Sequence, residues 1–255
     1  MNIGGRDLPT IVKAPFRRPN YAAVLGMVKN CQHPVDAFVR YMRGRGTYPV
    51  RFTLRTPMGP VAPTIYSHED MLTINEIFCR GDYACPGDIR TVVDFGANIG
   101  LSALYFLSRN EKAHCYLFEP LSTNVVRLHD NLRGLTSRYE LEEVAVGLSD
   151  GIVDFGTESS GRLGGIGLKL EGSVRVACRA VAVVLQEILD REHEIDVLKI
   201  DIQALEREVL AAIPRSLLRR IRQVFIEQVY DRNPYPDLYN FRQYGSVAHF
   251  TRVDS

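Results

Sequence analysis

A buried strand that runs straight into a glycine-bearing turn and then a helix is the strongest constraint in this chain. Thr91-Val92-Val93 shows no alternation of apolar and polar residues, as expected of a strand covered on both faces. It continues into Asp94-Phe95-Gly96-Ala97-Asn98-Ile99-Gly100, and residues 99–107 then take helical spacing. Such a unit belongs in a parallel sheet whose strands are joined by helices, and the turn after the strand is where open sheets of this kind bind ligands. The alternation repeats downstream. Strands are predicted over 115–118, 141–146, 174–178, 195–200 and 224–227, and helices over 123–132, 181–189 and 205–213. The Gly- and Ser-rich stretch 149–172 is expected to carry short strands or a flap, and the tail near 247–253 an antiparallel edge strand.

Upstream, residues 1–20 read as a loose arm. Val24, Val28, Val35, Phe38, Val39 and Met42 fall at helical spacing, with Pro34 dividing the segment into two helices. Residues 48–56 alternate in the strand manner, Pro57-Met58-Gly59 is turn chemistry, and 61–66 returns as a second strand. A helix is predicted over 70–78, capped by Ser67, with Met71, Ile74, Ile77 and Phe78 on one face. The expected architecture is α/β: an arm and a helical and hairpin cap over 1–88, then a mostly parallel, doubly wound, Rossmann-like sheet over 89–255.

The turn at 94–100 is not the G-x-G-x-x-G of dinucleotide folds, and Asp94 at the strand end would repel a pyrophosphate. An acid there suits a ligand with a cationic amine, which S-adenosylmethionine carries. Glu119, at the end of the next strand in Leu117-Phe118-Glu119-Pro120, lies 25 positions after Asp94. A carboxylate so placed can accept hydrogen bonds from both ribose hydroxyls. Each acid taken alone has a plain structural reading, as a helix cap or a surface group. Together, in strand–turn–helix context, they point to S-adenosylmethionine, with S-adenosylhomocysteine as the product.

The ordered run of motifs resembles the FkbM family of S-adenosylmethionine-dependent methyltransferases. The matching segments are VVDFGANIG (92–100), FEP followed by Asn124 and Asn131, AVGLSDGIVDF (145–155), DVLKID (196–201) and FIE (225–227). EIFCRGDY (76–83) and GTYPVRFTLRTPMG (46–59) resemble the lead-in of some members. The resemblance implies a class I methyltransferase fold and O-methylation of a natural product or glycan. It places Glu76, Tyr83, Asp94, Gly96, Ala97, Asn98, Gly100, Glu119, Pro120, Asn124, Val144, Ala145 and Asp201 around the cofactor. One departure stands out. The family continues its fourth strand as K-I-D-I-E-G-x-E, whereas this chain reads Lys199-Ile200-Asp201-Ile202-Gln203-Ala204-Leu205-Glu206.

Methyl transfer to a hydroxyl needs collinear oxygen, methyl and sulfur, and a group that removes the oxygen's proton. Asp201 at the end of the fourth strand is the first candidate base, and Glu227 at the end of the fifth is the second. Lys199 lies on the same strand face as Asp201 and can orient it or polarise the acceptor; a structural ion pair is the other reading of these two. Transfer to nitrogen or a carboxylate, and a cofactor-binding protein that has lost catalysis, are alternatives. Asn233-Pro234-Tyr235 reads as a loop, the arginines at 215, 219, 220 and 222 as a solvated face, and Ser67-His68-Glu69-Asp70 as a helix start. No metal set is recognisable.

Composition excludes several other classes. Lys plus Arg total 31 against 30 Asp plus Glu, a net charge of +1, which argues against a nucleic-acid partner. The five cysteines are scattered without a C-x-x-C pair, so a reducing cytoplasm is expected, with neither a disulfide framework nor a zinc site. No apolar run is long enough for a membrane span, and residues 1–7 show no apolar signal core. The partner expected is a small-molecule or glycan acceptor, and the N-terminal arm offers a homodimer contact.

Overall fold

The computed structural model describes residues 2–3, 6–7, 18–44, 46–158 and 164–253. The chain divides into two compact units, Met1–Cys85 and Pro86–Ser255. Most of the expected N-terminal arm lies outside the described residues; within it, β1 (Asn2–Ile3) and β2 (Arg6–Asp7) pair antiparallel.

The first unit continues with α1 (Arg18–Asn30) and α2 (Pro34–Arg43), separated at Pro34 as its missing N–H dictates. The helical periodicity is real, but the face it marks is not the buried one. Val24, Val28, Val35, Phe38 and Met42 are exposed, while Ala23, Met27 and Ala37 are buried. Next come β3 (Val50–Arg51), β4 (Leu54–Thr56), β5 (Gly59–Val61) and β6 (Thr64–Ile65). They form an interrupted hairpin, β4 on β5 at its tip and β3 on β6 at its base. α3 (His68–Ile74) starts in a reciprocal cap, in which the Ser67 hydroxyl accepts from the Asp70 N–H and the Asp70 carboxylate accepts from the Ser67 N–H. From Asn75 to Arg80 the helix widens into a π-turn. Met71, Ile74, Ile77 and Phe78 are all buried, as their spacing requires.

In the second unit the alternation yields β7 (Thr91–Phe95), α4 (Leu101–Leu107), β8 (His114–Phe118), α5 (Ser122–Asn131) and β9 (Tyr139–Glu142). Then follow β10 (Ala145–Gly147), β11 (Gly151–Thr157), β12 (Gly164–Ile166) and β13 (Gly172–Ala180). The chain ends with α6 (Val181–Glu192), β14 (Ile195–Ile200), α7 (Glu206–Ala212), α8 (Arg215–Leu218), β15 (Ile221–Ile226), β16 (Tyr239–Tyr244) and β17 (Val247–Arg252). The main sheet has the order β16-β17-β15-β14-β7-β8-β9. Strands β15, β14, β7, β8 and β9 are mutually parallel, and β17 is antiparallel to β15.

Its core explains the unbroken apolar runs. Val93, Phe95, Leu198, Ile200, Val224 and Ile226 are essentially solvent-free, packed with Val184, Leu185 and Ile188 of α6. Each such side chain contributes roughly 1.5–3 kcal/mol of burial.

Two expectations are corrected here. The strand predicted over 141–146 is two strands: β9 completes the main sheet, then the chain leaves it and β10 pairs in parallel with β13. β10, β13, β11 and β12 make a separate four-stranded sheet, which is what the Gly/Ser-rich stretch becomes; residues 159–163 within it lie outside the described residues. The tail strand β17 is antiparallel as expected, but it is not the edge. β16 pairs outside it and takes the edge position.

Candidate active site

The geometry of the site follows from strand register. Lys199 of β14 and Asp94 of β7 are direct neighbours across parallel strands, so their side chains leave the sheet on the same face. Lys199 Nζ donates to Asp94 Oδ1 at 2.8 Å and to the Gly96 carbonyl at 3.0 Å, and stands 3.4 Å from Asp201 Oδ2. Asp94 is fully enclosed, and its second oxygen accepts from Ser102 Oγ at 2.5 Å. Burial works against the charge on Lys199, but Asp94, Asp201 and Glu227 together raise its pKa above the ordinary lysine value. Asp94 thereby fixes Lys199 and the turn that follows.

That turn is held by its neighbours. The N–H groups of Gly96 and Ala97 both donate to the Phe118 carbonyl at 3.0 Å, and Asp201 N–H donates to Phe95 O at 3.1 Å. Gly96 sits at φ +81°, and a Cβ there would overlap the Asp201 carbonyl oxygen outright, so glycine is required by both conformation and space. Asn98 is also left-handed, at φ 49°, and its N–H points to Glu119.

Glu119 forms the second cluster. Its Oε2 accepts from Asn98 N–H at 2.9 Å; its Oε1 accepts from Leu121 N–H and Asn124 Nδ2, each at 3.1 Å. Of about four acceptor positions on a carboxylate, one on Oε2 is left among the described residues. Burial pushes the Glu119 carboxyl up to about 7, against the opposing effect of those three donors and Lys199. Beside it opens a cleft of about 570 Å³, bordered by Pro120, Leu121, Ser122, Thr123, Arg127 and Glu143 on one side and by β13 on the other. The size suits a small-molecule ligand.

The third cluster lies at the tips of β14 and β15. Asp201 is about a quarter exposed. Burial works to raise its pKa, yet Lys199 and hydrogen bonds with Glu227 and Gln203 hold it below the usual carboxylate range. Gln203 Nε2 donates to Asp201 Oδ1 at 3.2 Å and to Glu227 Oε2 at 3.4 Å.

The structure thus brings Asp94, Lys199, Asp201 and Glu227 into one linked group, and Asn98, Glu119 and Asn124 into another. Val144 packs at the rim of the main core, and Ala145 is buried at the start of β10. Glu76 and Tyr83 belong to the first unit, Glu76 on the π-turn 3.8 Å from Arg80 and Tyr83 buried. Ser102 and the buried Glu206 join these groups without carrying a role in the sequence motifs; their spacing after Asp94 and Asp201 is the one signal of it. The residues read as incidental have structural partners. Arg222 pairs with Asp196 at 2.6 Å, Arg220 donates to the His193 carbonyl at 2.8 Å, and Asn233 accepts from Tyr235 N–H at 2.9 Å to shape a turn.

The sheet order, with one antiparallel strand inserted next to the edge, together with an acid-bearing glycine turn at its centre, is the Rossmann-like fold of class I methyltransferases. The model of the Methyltransferase FkbM domain matches residues 94–245, and the chain belongs to this family. A segment of the AMB antimetabolite synthetase AmbE of Pseudomonas aeruginosa is 30% identical over 213 residues, covering 66% of this chain and 10% of that protein. The chain therefore spans about a tenth of that relative's length. Among solved structures, the methyltransferase FkbM of Methylobacillus flagellatus KT is similar at 17% identity and a TM-score of 0.47, covering 69% of this chain and 47% of that one. An O-methyltransferase family protein from Burkholderia thailandensis is similar at 12% identity and a TM-score of 0.39, over 74% and 60% of the two chains. Among the described residues, no helix is long and apolar enough to cross a membrane.

Proposed function

We propose that this methyltransferase uses S-adenosylmethionine to methylate a hydroxyl oxygen on a small natural product or sugar. The observation that carries the reading is the chain of side chains Asp94–Lys199–Asp201–Gln203–Glu227 at the strand tips, in the same sheet as a Glu119 carboxylate with an acceptor position to spare. When bound, the cofactor supplies an electrophilic methyl on a sulfonium sulfur. Glu119 accepts from a ribose hydroxyl, and the cleft beside Pro120 and Leu121 receives the adenosyl portion. Asp94 acts by holding Lys199 and the Gly96–Gly100 turn in place. Asp201, held below the usual carboxylate range and so ionised at neutral pH, is the proton acceptor: its carboxylate would take the acceptor's hydroxyl proton during transfer. Lys199 keeps that carboxylate charged and oriented.

The likeness to part of an antimetabolite synthetase supports a biosynthetic small molecule as acceptor. Titration calorimetry with S-adenosylmethionine and S-adenosylhomocysteine tests the cofactor site. Saturable binding is expected, weakened at least tenfold by Glu119→Ala. Asp201→Asn is expected to bind the cofactor yet lose transfer of a radiolabelled methyl to hydroxylated acceptors. Absence of binding by the folded wild type, or binding indifferent to Glu119, would overturn the assignment.

A further inference from the structure

Gln203 and Ala204 are consecutive non-glycine residues in the left-handed region, at φ 57° and 77°. Single visits to this region are uncommon for such residues, and two in a row persist only when the surroundings fix them. Burial raises the pKa of Glu206 at the start of α7, against the opposing pull of backbone N–H groups that include those of Gln203 and Ile202. From the other sheet, Gly165 of β12 presses on the turn: a Cβ at Gly165 would fall 2.6 Å from the Gln203 carbonyl oxygen and 3.2 Å from its Cβ. Gln203 is clamped between the two.

Its side chain ends between two acids. A carboxamide has two N–H hydrogens, and Nε2 lies within reach of Asp201 Oδ1 and Glu227 Oε2 together. Glu227 and Gln203 are both among the groups that, after Lys199, hold the buried Asp201 carboxyl below the usual carboxylate range. The other charged groups facing the pair are Lys199 from the same strand as Asp201, Asp94 from β7 behind it, and Glu206 from α7.

We propose that Gln203 is a positioning residue whose carboxamide ties Asp201 and Glu227 into a single coupled pair under the β12 strand. The inference rests on the reading of Asp201 as proton acceptor, and it adds what keeps that acceptor aligned. Because the tether is neutral, it adds no charge to the two acids that face Lys199, whereas a carboxylate at this position would add a third.

Carboxyl-carbon NMR of the full-length labelled protein tests this, with Asp201→Asn and Glu227→Gln assigning the two signals. In the wild type the pair is expected to titrate in two steps separated by about 2 pH units or more. Gln203→Met is expected to bring the steps together by at least one unit, and the isosteric Gln203→Glu to drive the upper step higher by about one unit. Titration in both variants that matches the wild type, with unchanged circular dichroism, overturns the proposal; if Gln203→Met does not fold, Gln203→Glu alone decides. The pH–rate profile of methyl transfer separates the two claims. Altered titration with an unaltered profile keeps the tether and removes Asp201 from the role of proton acceptor.

Discussion

Lys199 and Asp94 occupy paired positions on the two central strands, and the 2.8 Å ion pair between them is almost completely removed from water. A buried pair of this kind is dangerous to break from one side, because the surviving charge has no solvent to fall back on. Lys199→Met is expected to lower unfolding stability by about 3–5 kcal/mol. The double variant Lys199→Met, Asp94→Asn is expected to lose clearly less than the sum of the single losses, by at least about 1 kcal/mol. Urea unfolding of the four proteins measures both quantities.

Glu119 makes a prediction about pH. Its folded-state pKa, raised to about 7 by burial, exceeds the ordinary carboxylate value of 4.5. The folded chain therefore holds this proton more tightly than the unfolded chain does. Its contribution is fully present below pH 4.5 and is lost as pH rises through about 7, a change of about 3 kcal/mol. His249 works in the opposite direction: burial lowers its pKa to about 4, so its contribution is lost as pH falls from 6.5 toward that value. The wild-type slope mixes the two. The difference between wild type and Glu119→Gln isolates the first: the variant should gain stability relative to wild type between pH 5 and 8, read by thermal or urea unfolding. Cofactor affinity should run the other way, tightening as Glu119 ionises, since the carboxylate is the better acceptor for a ribose hydroxyl.

Ala204 holds a left-handed φ of 77° with a Cβ. That conformation costs an L-residue roughly 1–2 kcal/mol, and glycine takes it freely at the expense of a more flexible unfolded chain. Ala204→Gly should therefore raise stability by a net of about 0.5–1 kcal/mol, visible as a higher midpoint of thermal unfolding. A loss of stability would mean that the Cβ packs usefully and that the turn is not strained.

What the sequence disclosed and withheld divides along physical lines. Strands β7, β8, β14 and β15 are covered on both faces, so they read as apolar runs whatever their neighbours. β16 sits at the edge with alternate residues exposed, and YNFRQY after a Pro-bearing turn carries no such run. The break between β9 and β10 is set by which strand each half pairs with, and β13 lies some thirty residues further on. α1 and α2 declare themselves as helices through spacing, but spacing does not say which side meets the core; Ala23, Met27 and Ala37 do. At the site, Asp94, Glu119, Lys199 and Asp201 are visible as residue types at strand ends. The pairing of Asp94 with Lys199 follows from register and could not be read from either residue alone.

Gly96 gives the sharpest local prediction, because two separate constraints meet there. Its φ of +81° is unfavourable for any side chain, and the Asp201 carbonyl occupies the space a Cβ would take. Gly96→Ala must therefore push β7's turn away from the tip of β14, and that turn also supplies the carbonyl that accepts from Lys199 at 3.0 Å. Strain of the backbone and displacement of a buried partner each cost about 1–3 kcal/mol. A loss of about 2–5 kcal/mol in unfolding stability is expected, together with at least a tenfold weakening of S-adenosylhomocysteine binding. Gly134, also left-handed at φ +85° but with open space around it, is the control. Gly134→Ala carries only the conformational cost, about 1–2 kcal/mol, and should leave binding unchanged. Equal binding losses at the two positions would place the effect in the fold at large instead of in the contact between the turn and Asp201.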